Sequence, residues 1–187
     1  MNFSRANATW LLVAAIAFAT VAEAAAPKIT LHRQDAGELG DDGWAEATSA
    51  LGGYTVKFPA KFNDYTATHE DPKSAIEKSD VMNAVTLQKI RFGVTRAHFR
   101  GGKATARAAF NKLKAVAANS PEKHAKLMRM NNYEAIEQAF AVKGGMTIQR
   151  TVLVDEDMFT LLILFSTAQA AVAKRLAPTF FGSLTIQ

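Results

Sequence analysis

Residues Met158 to Ser166 read MFTLLILFS, and nearly every side chain in this run is large and apolar. The run is too short to cross a bilayer as a helix, because a helical span needs about 20 residues. In an extended strand the alternate side chains form two apolar faces: Phe159, Leu161, Ile163 and Phe165 on one, and Leu162 and Leu164 on the other. A strand that is apolar on both faces is covered on both faces. The run therefore predicts a central strand with helices or loops packed on either side.

The two segments before this run have the same extended character. Tyr133–Val142 and Met146–Val154 each follow strand periodicity, and a Lys-Gly-Gly turn at 143–145 separates them. An acidic turn at 155–157 joins the second segment to Met158. Two successive hairpins of this kind predict a three-stranded antiparallel meander.

Further strands are predicted in the first half of the chain. Trp44–Ser49 leads through a Gly-rich turn to Tyr54–Phe58, which alternates apolar and polar side chains and stops at Pro59. Thr66–Asp80 is polar and is predicted to be a surface loop. Val85–Phe99 again alternates and is interpreted as one arm of a hairpin.

A first helix is predicted after Gly101 and Gly102. Its apolar side chains recur at helical spacing: Ala106, Ala109, Phe110, Leu113, Val116 and Ala117. Asn119, Ser120 and Pro121 are expected to end it.

A second helix is predicted after Ser166. Gln169, three residues later, completes a capping box, and Lys174 and Arg175 suit the last turn. Pro178 is expected to stop this helix, and Ser183–Ile186 is expected to form a final strand.

Two stretches resemble a known family. GGYTVKFPAKF, Gly52–Phe62, is similar to the opening of PsbP-like domains and their bacterial periplasmic relatives, and FFGSLTI, Phe180–Ile186, is similar to their ending. The resemblance covers Trp44 to Ile186. It implies an α+β fold in which helices pack on an antiparallel sheet as an α/β/α sandwich. Members of this group are generally non-catalytic, so the resemblance transfers no active-site residues.

The N-terminus has the pattern of a cleaved secretory signal peptide. Arg5 supplies a positive charge, Trp10–Val21 is apolar or small, and Ala22-Glu23-Ala24 offers small residues at both positions that a signal peptidase reads. Cleavage is expected after Ala24. A membrane anchor is the alternative, but the apolar stretch is shorter than a bilayer span.

The predicted organisation follows from that signal. Residues 1–24 would be removed, 25–43 would form a weakly ordered lead-in with one short strand at Lys28–His32, and 44–187 would form a single domain. The absence of cysteine excludes disulfides and attachment of lipid through an N-terminal cysteine. We expect an exported protein, most simply a periplasmic one, that is not a lipoprotein.

The sequence offers no motif for catalysis. The four histidines lie outside metal-binding spacings, and none of the paired glycines belongs to a phosphate or dinucleotide fingerprint. These histidines are His32, His69, His98 and His124. His98 in particular is interpreted as an ordinary residue at a strand end. No metal, no cofactor and no enzymatic activity are predicted.

Charge is the one anomaly. The chain has a net charge of +5, yet the segment from Val81 to Met130 alone holds eleven Lys and Arg residues against one acid, Glu122. The candidate residues for binding an anionic partner are Arg91, Arg96, Arg100, Lys103, Arg107 and Lys114. On the first helix, Lys103, Arg107 and Lys114 are expected to face solvent on the side opposite Phe110 and Leu113.

Three functions remain open at this point. The first is a non-enzymatic binding or assembly domain whose basic face engages an acidic protein, anionic lipid headgroups or an acidic envelope polymer. Nucleic acid is disfavoured by the export signal and by the lack of stacking aromatic residues in the basic segment. The second is a carrier of a small molecule or lipid, with Phe159, Leu161 and Phe165 lining a cavity. The third is an enzyme whose site has no linear motif. The sequence does not predict an oligomeric state.

Overall fold

The computed structural model describes residues 26–119 and 124–187, apart from the side chain of His124. The predicted signal peptide and its cleavage site lie outside these residues, as do Ser120 and Pro121. The strands are β1 Lys28–Ala36, β2 Ala45–Thr48, β3 Tyr54–Phe58, β4 Phe62–Thr68, β5 Ile76–Val85, β6 Arg91–Phe99, β7 His124–Met130, β8 Tyr133–Val142, β9 Gly145–Val154, β10 Asp157–Phe165 and β11 Thr185–Ile186. The helices are α1 Gly102–Ala118 and α2 Ala170–Gly182, the second preceded by a 3₁₀ turn at Thr167–Gln169.

Two antiparallel sheets organise these strands. The larger has eight strands in the order β1-β4-β5-β6-β10-β9-β8-β7, and the smaller has three in the order β11-β3-β2. The predicted meander is confirmed, because β8, β9 and β10 pair in sequence through two hairpins. The MFTLLILFS strand, β10, lies between β6 and β9 near the middle of the large sheet.

Both faces of the large sheet are covered. Met158 packs with Phe110 and Leu113 of α1, whereas its neighbour Phe159 packs with Tyr54 of β3 and Phe180 of α2. Adjacent residues of a strand point to opposite faces, so α1 covers one face while α2 and the small sheet cover the other. The prediction that β10 is buried on both sides is confirmed.

The α+β class with a mostly antiparallel sheet is confirmed, together with its two helices. The layering is not a plain α/β/α sandwich, however. A three-stranded sheet shares the second outer layer with α2.

The structure contains more strand than the sequence predicts. The short strand expected at Lys28–His32 is part of β1, a nine-residue edge strand, and the expected loop at Thr66–Asp80 overlaps the end of β4 and the first half of β5. Periodicity missed β4 and β5 because polar side chains on them are buried: Asp64 and Asp80 are each 1 % exposed. Strand β7 was also missed.

Pro178 does not stop the second helix as predicted. It lies inside α2, which continues to Gly182. Phe180 and Phe181 are almost fully buried, and the Phe180 ring centroid lies 5.1 Å from that of Phe92. We attribute the continuation to this aromatic packing, which offsets the backbone hydrogen bond that a proline removes. The predicted capping box is confirmed, with the Ser166 amide donating to Gln169 Oε1 at 2.7 Å.

Candidate anion-binding depression and a buried charge cluster

Helix α1 carries four basic side chains and no acidic one: Lys103, Arg107, Lys112 and Lys114. Lys103 and Arg107 line an open depression of about 170 Å³ together with Arg129 of β7. The other side chains around it are those of Asn132, Tyr133, Glu134, Leu153 and Asp155. We call this site the basic depression, defined by Lys103, Arg107 and Arg129. Lys114 lies beside it and shares the carboxylate of Glu134.

The basic stripe of α1 does not lie opposite the buried stripe as predicted. Lys114 Nζ lies 6.0 Å from the centroid of the Phe110 ring, so the two residues are neighbours on the helix surface. Helical geometry explains this, because residues four apart differ by only about 40° around the axis. Lys114 therefore borders the buried stripe, while Lys103 and Arg107 are exposed beside it.

Glu134 partly neutralises the depression. Its Oε1 accepts a hydrogen bond of 2.6 Å from Arg107 Nη1, and its Oε2 accepts one of 3.3 Å from Lys114 Nζ. The Arg107 hydrogen bond is the main reason that the pKa of Glu134 is lowered. Lys103 Nζ lies 4.0 Å from Asp155 Oδ1 in a looser, exposed contact. Arg129 forms no ion pair within the described part of the chain, so the depression and its rim keep an excess of positive charge.

The other predicted basic residues do not join this surface. Arg96 projects from the opposite face of the sheet, where its guanidinium lies 5.7 Å from the centroid of the Phe159 ring. Arg100 donates to the carbonyl oxygens of His69 and Ser74. Arg91 lies at the far end of β6, across from Leu164. Of the six predicted residues, the structure therefore brings together Lys103, Arg107 and Lys114, and it adds Arg129, which was not singled out.

A polar group that links three strands was missed in the sequence analysis. His98 Nε2 lies 2.8 Å from Asp80 Oδ2, and His98 Nδ1 lies 2.9 Å from Asp157 Oδ1. Arg96 donates to Asp157 Oδ2 through Nε at 3.0 Å and Nη2 at 2.7 Å. We call these four residues, from β5, β6 and β10, the His98 cluster. Apart from the His98 contact, the buried Asp157 Oδ1 has no hydrogen-bond partner.

The pKa values in the cluster move in opposite directions. Contact with the carboxylate of Asp157, and then with that of Asp80, raises the pKa of His98 above its ordinary value. Burial alone would raise the pKa of Asp80, but hydrogen bonds from His98, Thr66 and Lys78 outweigh it and lower that pKa. The same balance, with His98 and Arg96 as donors, lowers the pKa of Asp157. The shifts therefore favour the charged form of each of these groups, protonated for His98 and ionised for Asp80 and Asp157.

The cluster also anchors the turn between β2 and β3. Arg96 Nη1 donates to the Gly52 carbonyl at 2.7 Å. A neighbouring buried carboxylate, Asp64, accepts from the Ala50 amide at 2.7 Å and from Arg33 Nη2 at 2.7 Å, and Arg33 in turn donates to the Thr48 carbonyl. These bonds fix the small sheet to the end of the large one.

The contacts of His98 do not suit it to act as a general base. A histidine that acts as a general base needs one ring nitrogen free to accept a proton. Both ring nitrogens of His98 contact carboxylates, and its raised pKa favours the doubly protonated ring. The arrangement is suited to holding strands together. Its weak sequence signal was the pair Arg96 and His98, two polar residues on the strand face that also carries Phe92 and Val94.

Within residues 26–119 and 124–187, no group of His, Asp and Glu side chains is arranged to hold a metal ion. In the same ranges, no helix combines the length and the apolar character that a membrane span requires.

Comparison with known proteins gives structural neighbours only. No protein-family model and no curated protein sequence matches the chain. Cyanobacterial PsbP (CyanoP) from Synechocystis matches with 11% identity and a TM-score of 0.45, over 82% of this chain and 98% of that one. LpqN of Mycobacterium tuberculosis, described as involved in cell envelope biogenesis, matches with 12% identity and a TM-score of 0.33, over 90% of this chain and 87% of that one. A protein from Bacteroides thetaiotaomicron matches with 10% identity and a TM-score of 0.38, over 72% of this chain and 45% of that one. The chain is thus similar to these three solved structures at low sequence identity.

Proposed function

We propose that this chain is an exported, non-catalytic binding domain that engages an anionic partner through the basic depression. The observation that carries the proposal is the convergence of Lys103 and Arg107 from α1 and Arg129 from the strand that follows it, β7, around one open depression. Arginine side chains pair well with carboxylate and phosphate groups, because the planar guanidinium can donate two parallel hydrogen bonds. Export rests on the predicted signal peptide.

Two further features support this proposal over the alternatives. Phe159, Leu161 and Phe165, the residues expected to line a carrier cavity, are buried in the core against the small sheet and α2. The polar cluster that could have suggested an enzyme has both nitrogens of its histidine engaged. A carrier and an enzyme therefore have less support than a charged docking surface.

The proposal is tested by retention of the chain from Ala25 onward on an immobilised polyanion, heparin, in a salt gradient. The variant is Lys103→Glu/Arg107→Glu. Its matched control is Lys174→Glu/Arg175→Glu, which makes the same change in net charge at two exposed positions of α2, on the other face of the sheet.

If the depression is a binding site, the α1 variant elutes at clearly lower salt than the α2 control, because a defined site concentrates the interaction. Equal shifts for the two variants would mean that retention follows net charge alone and would refute the proposal. Circular dichroism and urea unfolding of both variants show whether the fold is retained.

A further inference from the structure

The two edges of the eight-stranded sheet differ in how well they could accept another strand. Strand β1, at one edge, pairs with β4 with two register shifts, and its Asp35 has a positive φ of 47°. Strand β7, at the other edge, pairs with β8 in unbroken register from His124 to Met130. Bulges disrupt an edge ladder and discourage further pairing, whereas a regular edge leaves a row of backbone donors and acceptors unused.

Strand β7 also presents side chains that a partner could contact. Leu127 is 62 % exposed. Its partner on β8 is Ile136, which packs in the hydrophobic cluster under α1. Arg129, two residues further on the same face, lines the basic depression. The side of β7 that faces α1 is therefore apolar at Leu127 and cationic at Arg129, and Arg107 and Lys114 lie on the nearby helix.

Charge identifies the kind of strand that fits. The sequence of β7, HAKLMRM, contains Lys126 and Arg129 and no acidic residue. Antiparallel pairing of two copies would bring Lys126 and Arg129 of both strands close together with no acidic residue between them, and like charges at close range destabilise a sheet. Self-association through this edge is thus disfavoured, and an acidic strand is favoured.

We propose that the β7 edge binds an extended acidic segment of a partner protein, which adds as a ninth strand and places its carboxylates against Arg129 and Arg107. This inference rests on the proposed function and names its partner class. Main-chain hydrogen bonds to β7 would supply affinity, and the cations of the depression would select acidic side chains. The side chains of the added strand that lie on the α1 side would also contact Leu127.

The test uses a seven-residue probe of alternating Glu and Val, matched to the length of β7, and the ¹⁵N-labelled chain from Ala25 onward. Two control peptides have the same length as the probe. In the first, every Glu is replaced by Lys. The second carries N-methyl groups on alternate backbone nitrogens along the edge that would pair. The N-methylated peptide keeps all side-chain charges but cannot donate those main-chain hydrogen bonds.

Strand addition predicts NMR shifts at 125–130, intermolecular contacts between backbone protons, and affinity at least about tenfold weaker for the N-methylated and Lys peptides. Arg129→Glu should weaken binding by a similar factor, and Lys28→Glu on the β1 edge should leave it nearly unchanged. Equal affinity for the N-methylated peptide, or shifts confined to the depression, would overturn strand addition.

The heparin experiment separates this failure from failure of the proposed function. Site-specific retention on heparin without strand addition would leave an anion-binding domain with a different partner. Absence of both would refute the two proposals together.

Discussion

The His98 cluster and the basic depression contain ion pairs of nearly the same length but in different surroundings. His98 Nε2 to Asp80 measures 2.8 Å and Arg107 Nη1 to Glu134 measures 2.6 Å. The side chain of Asp80 is 1 % exposed, whereas that of Glu134 is 42 % exposed. Burial, rather than distance, therefore separates a charge pair that holds strands together from one that stays available to a partner.

The physical reason is that water screens exposed charges much more strongly than buried ones. Around Glu134, solvent screens the pair and replaces either partner at little cost, so exposed pairs contribute about 0–1 kcal/mol to stability. In the His98 cluster, removal of one member leaves a largely buried opposite charge with one partner fewer, and breaking a buried pair typically costs about 3–5 kcal/mol. Three substitutions test this difference between buried and exposed ion pairs. They follow in order of decreasing expected effect on stability.

Asp157→Ala should have the largest effect. It leaves Arg96 and His98 without their shared carboxylate, and we expect the free energy of unfolding to fall by about 3–5 kcal/mol. Urea unfolding followed by circular dichroism measures the change. Glu156→Ala, at the exposed neighbouring residue, is the control and should change stability by no more than about 0.5 kcal/mol. A loss of similar size in both variants would show that the turn, rather than the cluster, is responsible.

His98→Gln should have an intermediate effect that depends on pH. Because the folded state raises the pKa of His98 above 6.5, its contribution is complete below pH 6.5 and is lost as the pH rises through the folded value. The groups that face it are Asp80, Asp157, Arg96 and Lys78. At pH 6 we expect a loss of about 1.5–3 kcal/mol, the range for charge-assisted hydrogen bonds.

The measurement is a series of urea unfolding curves of the wild type and His98→Gln between about pH 5 and pH 9. This window extends about two pH units to either side of neutrality and brackets the ordinary histidine pKa. The difference between the two proteins should shrink toward high pH. A constant difference would contradict a titrating role for His98. Below the ordinary aspartate pKa of 3.8, both proteins should lose stability as Asp80 and Asp157, whose folded pKa values are lowered, become protonated.

Glu134→Gln should have the smallest effect on stability. It should also strengthen binding to an anion. It removes the acceptor charge for Arg107 and Lys114 but keeps a similar shape, so the free energy of unfolding should change by less than about 1 kcal/mol. Both cations become more available to an anion, so the variant should elute from heparin at higher salt than the wild type. Unchanged or earlier elution would show that Glu134 does not compete with the anion.

Sequence reasoning succeeded where a segment follows its own periodicity. Strand β8 and strand β3 were predicted with the bounds that the structure shows, and α1 was predicted in place, because their apolar side chains recur at the spacing of one secondary structure. It failed on β5, where Ser79 and Asp80 are buried and polar. Asp80 can be buried because Thr66 and His98, both on other strands, form hydrogen bonds with it. No local sequence pattern predicts these hydrogen bonds.

For the candidate site, the sequence located the basic segment. It did not show that the basic residues of this segment lie on different faces of the sheet. Arg96 and Arg107 belong to the same run of positive charge, yet the alternation of β6 turns Arg96 away from α1 toward Asp157, 61 residues along the chain. Arg129 was passed over because its strand, β7, was not predicted. The register of strands decides which charges meet, and that register depends on pairings between distant segments.

The sequence by itself determined the α+β class, the doubly buried strand β10, the helix α1 and the excess of positive charge between Val81 and Met130. These properties follow from composition and from local periodicity, which each segment carries within itself. Only the tertiary structure decided that Asp80, His98 and Asp157 meet in one cluster, and that Lys103, Arg107 and Arg129 surround one depression beside the edge strand β7. Both groups assemble from strands and a helix that the sheet topology brings together, and long-range contacts of that kind leave no periodic mark in the chain.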